Sequence, residues 1–291
     1  MSVRDLAVTF AGGGNRAFYE LGLMKVWRRE LLPRAGCFAT CSAGACVAAL
    51  MLSGRDEEVG QFWRERVRGL KKNFEWARLL KGQRPTPHEP LYRQMLLHAF
   101  ADGGLERIRS QPFPVLVLTT AFPRGVPALA AVALALCSYN LEKRLRDEMV
   151  HPTYGRRVGF RGLSFDARDC ETAEALADLI IASSATPPFT SVGSYRGRRL
   201  LDGGVIDNVP AFLADEVEGI KRNLVLLTRP YPQAVIGRQG RRLYIAPREP
   251  LPIERWDFTR PDLLEETVAI GERDASGYQS ALEEFLQGEP S

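Results

Sequence analysis

The ten residues Cys37-Phe-Ala-Thr-Cys-Ser-Ala-Gly-Ala-Cys46, with the apolar run that continues to Leu52, limit what this chain can fold into more than any other stretch. They read as a short buried strand ending at Cys41, then Ser42, then a helix whose first turn carries only small side chains. A serine at a tight strand-to-helix turn stands clear of the sheet edge, beside the unpaired N–H groups of the helix start. Its hydroxyl can attack a carbonyl, and the amides can hold a developing oxyanion. The pattern is G-x-S-x-G with one departure: Thr40 stands where the first glycine would be, while Cys41, Ala43 and Gly44 complete the elbow around Ser42. An ordinary serine at a helix N-cap fits the same residues.

The rest of the chain alternates in the same way. Leu6–Phe10 is a short apolar strand, followed by Gly12-Gly13-Gly14 and a helix to about Leu31 with Phe18, Leu21, Met24 and Leu31 near helical spacing. Residues 113–120 and the run ending at Asp202 read as strands, as do 224–228 and 243–246. Helices are expected over 126–148, 172–184 and from Ile206 onward, with a terminal helix over 261–286 broken or bent near Gly271 or Gly277. Residues 151–170 read as an irregular flap or edge hairpin. Strands alternating with helices predict an α/β fold with a mainly parallel sheet covered on both faces.

Composition removes several function classes. The net charge is +4, and no basic helix carries a nucleic-acid-binding signature, so no nucleic-acid partner is expected. No run of eighteen apolar residues appears, and the first residues lead directly into a strand, so neither a spanning helix nor a signal peptide is expected. The five cysteines include no C-x-x-C pair, which argues against a zinc or redox site and for a reducing, cytoplasmic setting. Residues 55–110 are helical and charged. Between 62 and 84, Phe62, Trp63, Phe74 and Trp76 are interleaved with eight basic residues, a pattern that suits either an anionic membrane surface or a solvated helix face with its aromatics turned inward.

Two readings compete for the glycine loop. Gly12-x-Gly14-x-x-Ala17 matches a dinucleotide-binding fingerprint, but that motif expects an acid at the end of the second strand, where this chain has Cys41 and Ser42. The alternative is an oxyanion hole serving Ser42. A serine nucleophile needs a base. The three histidines, His88, His98 and His151, read as surface residues, and none follows Asp202, so a Ser–acid–His order is excluded by counting. The remaining base candidate is Asp202, at a strand end before Gly203 and Gly204. Its ordinary pKa of about 4 must be raised by burial to be useful, and a plain Asp-Gly turn would also account for it.

Taken together and in this order, Gly12-Gly13-Gly14-Asn15-Arg16, Ser42-Ala43-Gly44 and Asp202-Gly203-Gly204 resemble the patatin-like phospholipase family. The likeness extends to residues 182–189 and to Asp207-Asn208-Val209-Pro210. The resemblance implies a single catalytic domain over 1–291, a patatin-like three-layer α/β/α sandwich with a mainly parallel central sheet. It would carry a variable helical insertion at about 55–112 and a flap at about 145–170. It also implies a metal-free, cofactor-free acyl hydrolase using a Ser–Asp dyad: Ser42 as nucleophile, Asp202 as base, the amides of Gly12, Gly13 and Gly14 as oxyanion hole with Arg16 in support. Glycerophospholipid or lysophospholipid substrates at a membrane surface follow from the same likeness. Acyl transfer from the same acyl-enzyme is the nearest alternative, nucleotide binding through the glycine loop a more distant one. Thr40 and Ala17 depart from the family pattern; Thr40 puts a Cβ and a hydroxyl where the elbow usually has neither.

Overall fold

Period-two alternation decides which way each strand faces. On β1 (Leu6–Phe10), Leu6, Val8 and Phe10 enter the large core and Ala7 points to the other face; on β3 (Val115–Ala121), Val115 and Val117 enter the large core and Leu118 the other. β2 (Ala35–Cys41) turns Phe38 toward the large core and Cys37, Ala39 and Cys41 toward the smaller one. The computed structural model describes residues 4–75, 86, 88–127, 130–135, 137, 150–151 and 154–288.

β1 pairs in parallel with β2 and with β7 (Arg222–Leu226), β2 with β3, and β7 with β9 (Arg242–Ile245). Antiparallel strands flank this centre. β4 (Arg161–Asp166) and β6 (Arg198–Asp202) pair with β3, β5 (Gly193–Tyr195) with β6, and β8 (Gly237–Gln239) with β9. The larger face is covered by α1 (Phe18–Leu31), α2 (Ala43–Ser53), α3 (Asp56–Val67), α4 (His88–Phe100), α5 (Gly104–Arg109), α6 (Ala173–Ser183) and α7 (Pro261–Gln287). The smaller face is closed by Ala131, Ala135, Phe160, Leu213 and Ala214. The result is a mixed α/β sandwich with a mostly parallel central sheet.

Several sequence expectations change. Of the two readings for 151–170, residues 161–166 take the edge one rather than the flap: they form the six-residue edge strand β4, antiparallel to β3, where Asp166 accepts from the N–H of Val115 and the Arg168 guanidinium holds its carboxylate. Residues 206–210 are a loop rather than a helix start, and only one turn of helix follows, Phe212–Asp215. The terminal helix runs unbroken through Gly271 and Gly277. Gly271 lies against Gly22 of α1. A Cβ on Gly271 would strike the Tyr19 carbonyl, and one on Gly22 the Val268 carbonyl, so each glycine is there for close helix contact. The crossing is pinned by Trp27 Nε1 donating to Gln279 (2.9 Å) and Tyr19 Oη donating to Asp274 (3.0 Å). Gly277 leaves room for Arg248, whose guanidinium donates to the Gly277 carbonyl.

In the basic aromatic segment the three described aromatics turn inward. Trp63 is buried, Phe62 stacks on His98, and Phe74 meets Phe189 edge-on. Arg64, Arg66, Arg68, Lys71 and Lys72 are exposed, with Arg64 paired to Glu265 and Arg66 over the Phe62 ring. Trp76, Arg78, Lys81 and Arg84 lie outside the described residues, as do 142–148 of the expected helix over 126–148. Among the described residues no helix is long and apolar enough to cross a membrane.

The glycine contact makes a signed prediction. Gly271→Ala should destabilise the protein by about 2 kcal/mol through overpacking, although alanine is the better helix former. Gly60→Ala, whose Cβ meets nothing within 4 Å in the middle of α3, should stabilise by up to about 1 kcal/mol. Urea unfolding midpoints of the two variants should move in opposite directions.

Candidate active site

The site follows from how three strands share β3. β4 pairs with residues 116–121 of β3, so β2, which pairs with 115–118, and β6, which pairs with 119–121, must both lie on the other edge. They meet there end to end: Cys41 lies opposite Leu118, and Asp202 opposite Thr119. Ser42 and Asp202 are thereby brought together across 160 residues of chain, and Ser42 Oγ donates to Asp202 Oδ2 at 2.8 Å.

Ser42 has φ 53° and ψ −127°, a left-handed conformation that L-residues rarely adopt. It occupies the N-cap position of α2 but makes no side-chain cap. The N-cap reading is therefore replaced: the hydroxyl is turned away from the helix amides and toward the carboxylate. Ser183, on the last turn of α6, holds the elbow in place. Its Oγ accepts from the Ser42 N–H (2.8 Å) and donates to the Leu118 carbonyl (2.7 Å). Thr40 causes no crowding, since its buried hydroxyl donates to the Leu116 carbonyl at 2.9 Å. Gly44 is required by close approach: a Cβ there would lie 2.6 Å from the carbonyls of Phe10 and Ala11. Cys41 is fully buried, and desolvation, with the neighbouring Asp202 charge adding to it, holds its thiol well above the ordinary range and keeps it neutral.

Asp202 is fixed by its surroundings. Oδ1 accepts from the Gly204 N–H at 2.7 Å, and the Asp202 N–H donates to the Ala185 carbonyl at 2.8 Å. Burial pushes its pKa up. The hydrogen bonds from Gly204 and Ser42 and the charge of Arg255 oppose this without cancelling it. Gly203 packs on the Leu118 carbonyl and Cys41, and Gly204 lies between Asp202 and Asn208.

The glycine loop lies across from Ser42, and its three glycines do different work. The Gly12 N–H donates to the Asn208 carbonyl (2.8 Å), while its own carbonyl accepts from Asn208 Nδ2 (2.6 Å) and Thr228 Oγ1 (2.9 Å). Gly12 is therefore a fixed anchor, and its amide is not free to face a ligand. Gly13 and Gly14, the latter at φ 58°, line the cavity in front of Ser42. Glu20 secures the loop from behind: it is fully buried, accepts from the Ala11 N–H at 2.7 Å, and is driven toward its neutral form by desolvation. Arg16 points away from the cavity, to the Ile253 carbonyl and Glu254. Asn15 donates from its backbone to the Arg255 carbonyl and from its side chain to that of Asp257. Residues 253–258 are thus strapped to the glycine loop and place Arg255, Trp256 and Phe258 in the cavity wall.

The cavity has a volume of about 340 Å³ and takes in Ser42, Asp202, Gly13, Gly14, Asn208 and Thr186 on its polar side. Its deeper wall is apolar and aromatic, from Phe18, Trp63, Tyr92, Met95, Phe189 and Phe258. His88, expected at the surface, belongs to this wall. It stacks on Phe258 (3.8 Å between ring centroids) and Tyr92 (5.1 Å), and desolvation lowers its pKa to about 3, so it is neutral at physiological pH. His98 stacks on Phe62. His151 is tied to Asp207 (2.9 Å) and Tyr244 (3.1 Å), and neither His98 nor His151 lines the cavity.

Sequence reasoning did not find Glu20 or the strap; it included Ser183 in the stretch 182–189 without a role, and it read His88 as surface. Glu20 could have been read as buried, because it shares a helical stripe with Leu23, Met24, Trp27 and Leu31. Nothing in the local sequence of 253–258 points back to residue 15.

A carboxyl whose folded pKa is raised binds its proton more tightly in the folded than in the unfolded state. Its contribution is therefore most favourable below the unfolded value of about 4 and is lost as pH rises through the raised folded value. Asp202→Asn, which keeps the shape and removes the charge, should accordingly gain stability relative to the wild type as pH goes from 4 to 8. Thermal unfolding of the two proteins across that range checks the sign of the difference.

The family profile described as patatin-like phospholipase matches residues 8–215, a span that holds the glycine loop, Ser42 and Asp202. A comparison with curated protein sequences finds no match. Two solved structures are similar at low identity. VipD from Legionella pneumophila is 12% identical with a TM-score of 0.46, over 97% of this chain and 67% of that one. ExoU of the Pseudomonas aeruginosa type III secretion system, solved with SpcU, is 16% identical with a TM-score of 0.40. That match covers 99% of this chain, which spans about half (53%) of the ExoU chain. On the profile match, which takes in well over half of its residues, the chain belongs to the patatin-like phospholipase family of lipid hydrolases.

Proposed function

We propose that the protein hydrolyses fatty-acyl esters of glycerophospholipids or lysophospholipids through a Ser42–Asp202 dyad. The observation that carries this reading is the 2.8 Å hydrogen bond from a positive-φ serine to a half-buried aspartate, its pKa raised by desolvation, in the wall of an aromatic cavity. Ser42 Oγ attacks the ester carbonyl while its proton passes to Asp202 Oδ2. The tetrahedral oxyanion is held by the amides of Gly13 and Gly14 together with the first amide of α2, that of Ala43. Collapse breaks the bond to the alcohol oxygen, which leaves with the proton from Asp202. Water then attacks the acyl-enzyme, gives its proton to Asp202, and releases the fatty acid as the proton returns to Ser42 Oγ.

A carboxylate is a weak base in water, and burial is what brings Asp202 nearer the working pH. Thr186 Oγ1, 3.4 Å from Asp202 Oδ2, and the Gly204 N–H keep the carboxylate oriented as its charge changes. Arg16 acts in this reading by fixing the strap rather than by touching the oxyanion. The substrate is met at a membrane surface through charge: Arg68, Lys71 and Lys72 are exposed beside the strap-bound Asn73, while Trp63 is buried and Phe62 and Phe74 are half-buried.

A fluorophosphonate probe should label Ser42, with the adduct located by peptide mass spectrometry, and labelling should disappear in Asp202→Ala. Ser42→Ala should lower fatty-acid release by about 10⁴-fold or more, as expected for loss of a nucleophile; a Ser42→Ala protein with wild-type activity overturns the reading. Separately, sedimentation with anionic vesicles should show binding that weakens with salt and falls in Lys71→Glu/Lys72→Glu.

A further inference from the structure

We infer that Trp63, with Phe18 and Met95 beside it, is the stop that sets how long an acyl chain the site accepts. The inference rests on the reading of Ser42 as the acylated residue. These three side chains line the cavity in front of Ser42, and the same three line a second cavity of about 380 Å³ on their far side. The second cavity lies between α1, α3 and α7, with Leu21, Leu50, Val59, Leu264 and Val268 in its apolar wall. Its rim carries the ion pairs Lys25–Glu272 and Arg64–Glu265. Two spaces of similar size are therefore separated by one layer of side chains.

Trp63 is the largest member of that layer and is 6% exposed, its ring set edge-on against Phe258 of the strap at 6.3 Å. Met95 is unbranched and can shift to suit a ligand, whereas the rigid indole cannot yield without moving as a whole. An acyl chain running inward from the ester carbonyl on Ser42 Oγ therefore ends at the indole. Methylenes beyond that point have no apolar space to enter, and each one left unburied forfeits about fourfold in binding. Removing the indole joins the two cavities and roughly doubles the space available.

The test is the kcat/KM profile of the full chain on p-nitrophenyl esters from four to sixteen carbons. In the wild type the values should rise with length and then fall. In Trp63→Ala the ratio of the sixteen-carbon to the four-carbon ester should rise by about tenfold or more. Met95→Ala, which thins the same partition from α4, should change the ratio in the same direction by a smaller factor, and it keeps the test alive if Trp63→Ala does not fold. Adding Gly60→Leu to Trp63→Ala puts a side chain into the second cavity from a position where a Cβ meets nothing, and should lower the ratio again. Unchanged ratios in folded Trp63→Ala and Met95→Ala, alongside an active wild type, overturn the stop. A wild type that hydrolyses no ester of any length overturns the acyl-hydrolase reading instead, and the stop falls with it.

Discussion

The backbone pairing along one edge of β3 is the constraint on which the rest of the site depends. β2 arrives in parallel and ends at Cys41, and β6 arrives antiparallel and ends at Asp202, on neighbouring positions of the same edge. No long side chain has to reach for its partner, because hydrogen-bond register fixes both ends. The junction is then locked from several sides. Thr120 Oγ1 donates to the Asp202 carbonyl, Ser183 spans the Ser42 amide and the Leu118 carbonyl, and Gly203 packs where a Cβ would not fit. A slip of one residue in either strand would separate serine from aspartate and exchange the faces of the sheet. In the proposed dyad, the sheet supplies the orientation that a histidine-bound acid supplies in hydrolases that use three groups.

Such a junction costs stability. A non-glycine residue at φ 53° carries strain of order 1–3 kcal/mol, and a buried carboxylate pays for its lost water. The chain offsets both locally. Strain at Ser42 is held between β2 and α2, whose seven residues Val47–Ser53 are all buried. Charge at Asp202 is offset by an amide, a hydroxyl and the nearby Arg255. Glu20 makes the contrast plain. It is more deeply buried than Asp202 but accepts a single hydrogen bond, from an amide, on the side of the loop away from the cavity, so it settles into the neutral form and works as a clamp. Desolvation pushes both acids toward the neutral form, and Asp202 is opposed more strongly because its hydrogen-bond partners are more numerous and Arg255 is near.

What was legible in the sequence was whatever a local pattern could carry. The change of hydrophobic period at Ser42 marked the elbow, and the absence of any histidine after residue 202 left Asp202 as the partner. The parallel sheet followed from strands spaced by helices. What was not legible depends on contacts between distant segments. Gly271 reads as a break because a glycine in a helix is either a weakness or a place of close approach, and only the presence of Gly22 on another helix decides which. His88 reads as surface because its neighbours in sequence are prolines and charges, yet it is sandwiched between Tyr92 and Phe258, the latter 170 residues away. Of the three glycines read as equivalent, Gly12 is taken out of service by Asn208, whose side chain and backbone together use both its polar groups. In the basic segment, the charges are conspicuous in sequence and the inward turn of Trp63 is not.

The division between matched and unmatched regions has a physical sense. Glycine loop, elbow and acid all fall within residues 8–215, the span shared with the family, and so do Glu20 and Ser183, which hold the loop and the elbow in place. The cavity in front of them does not close with those residues alone. Its roof comes from 253–258, and the second cavity behind Trp63 is walled by α7, both beyond residue 215. The strap is tied to the reactive end of the molecule through Asn15 and Arg16, the two residues that directly follow the glycines. A substitution in the strap would therefore reach the glycine loop through four hydrogen bonds. The space in front of Ser42 is thus built from both parts of the chain: Phe18, Trp63 and Met95 lie within the matched span, Arg255, Trp256 and Phe258 beyond it, and the hydrogen bonds of Asn15 and Arg16 tie the two together.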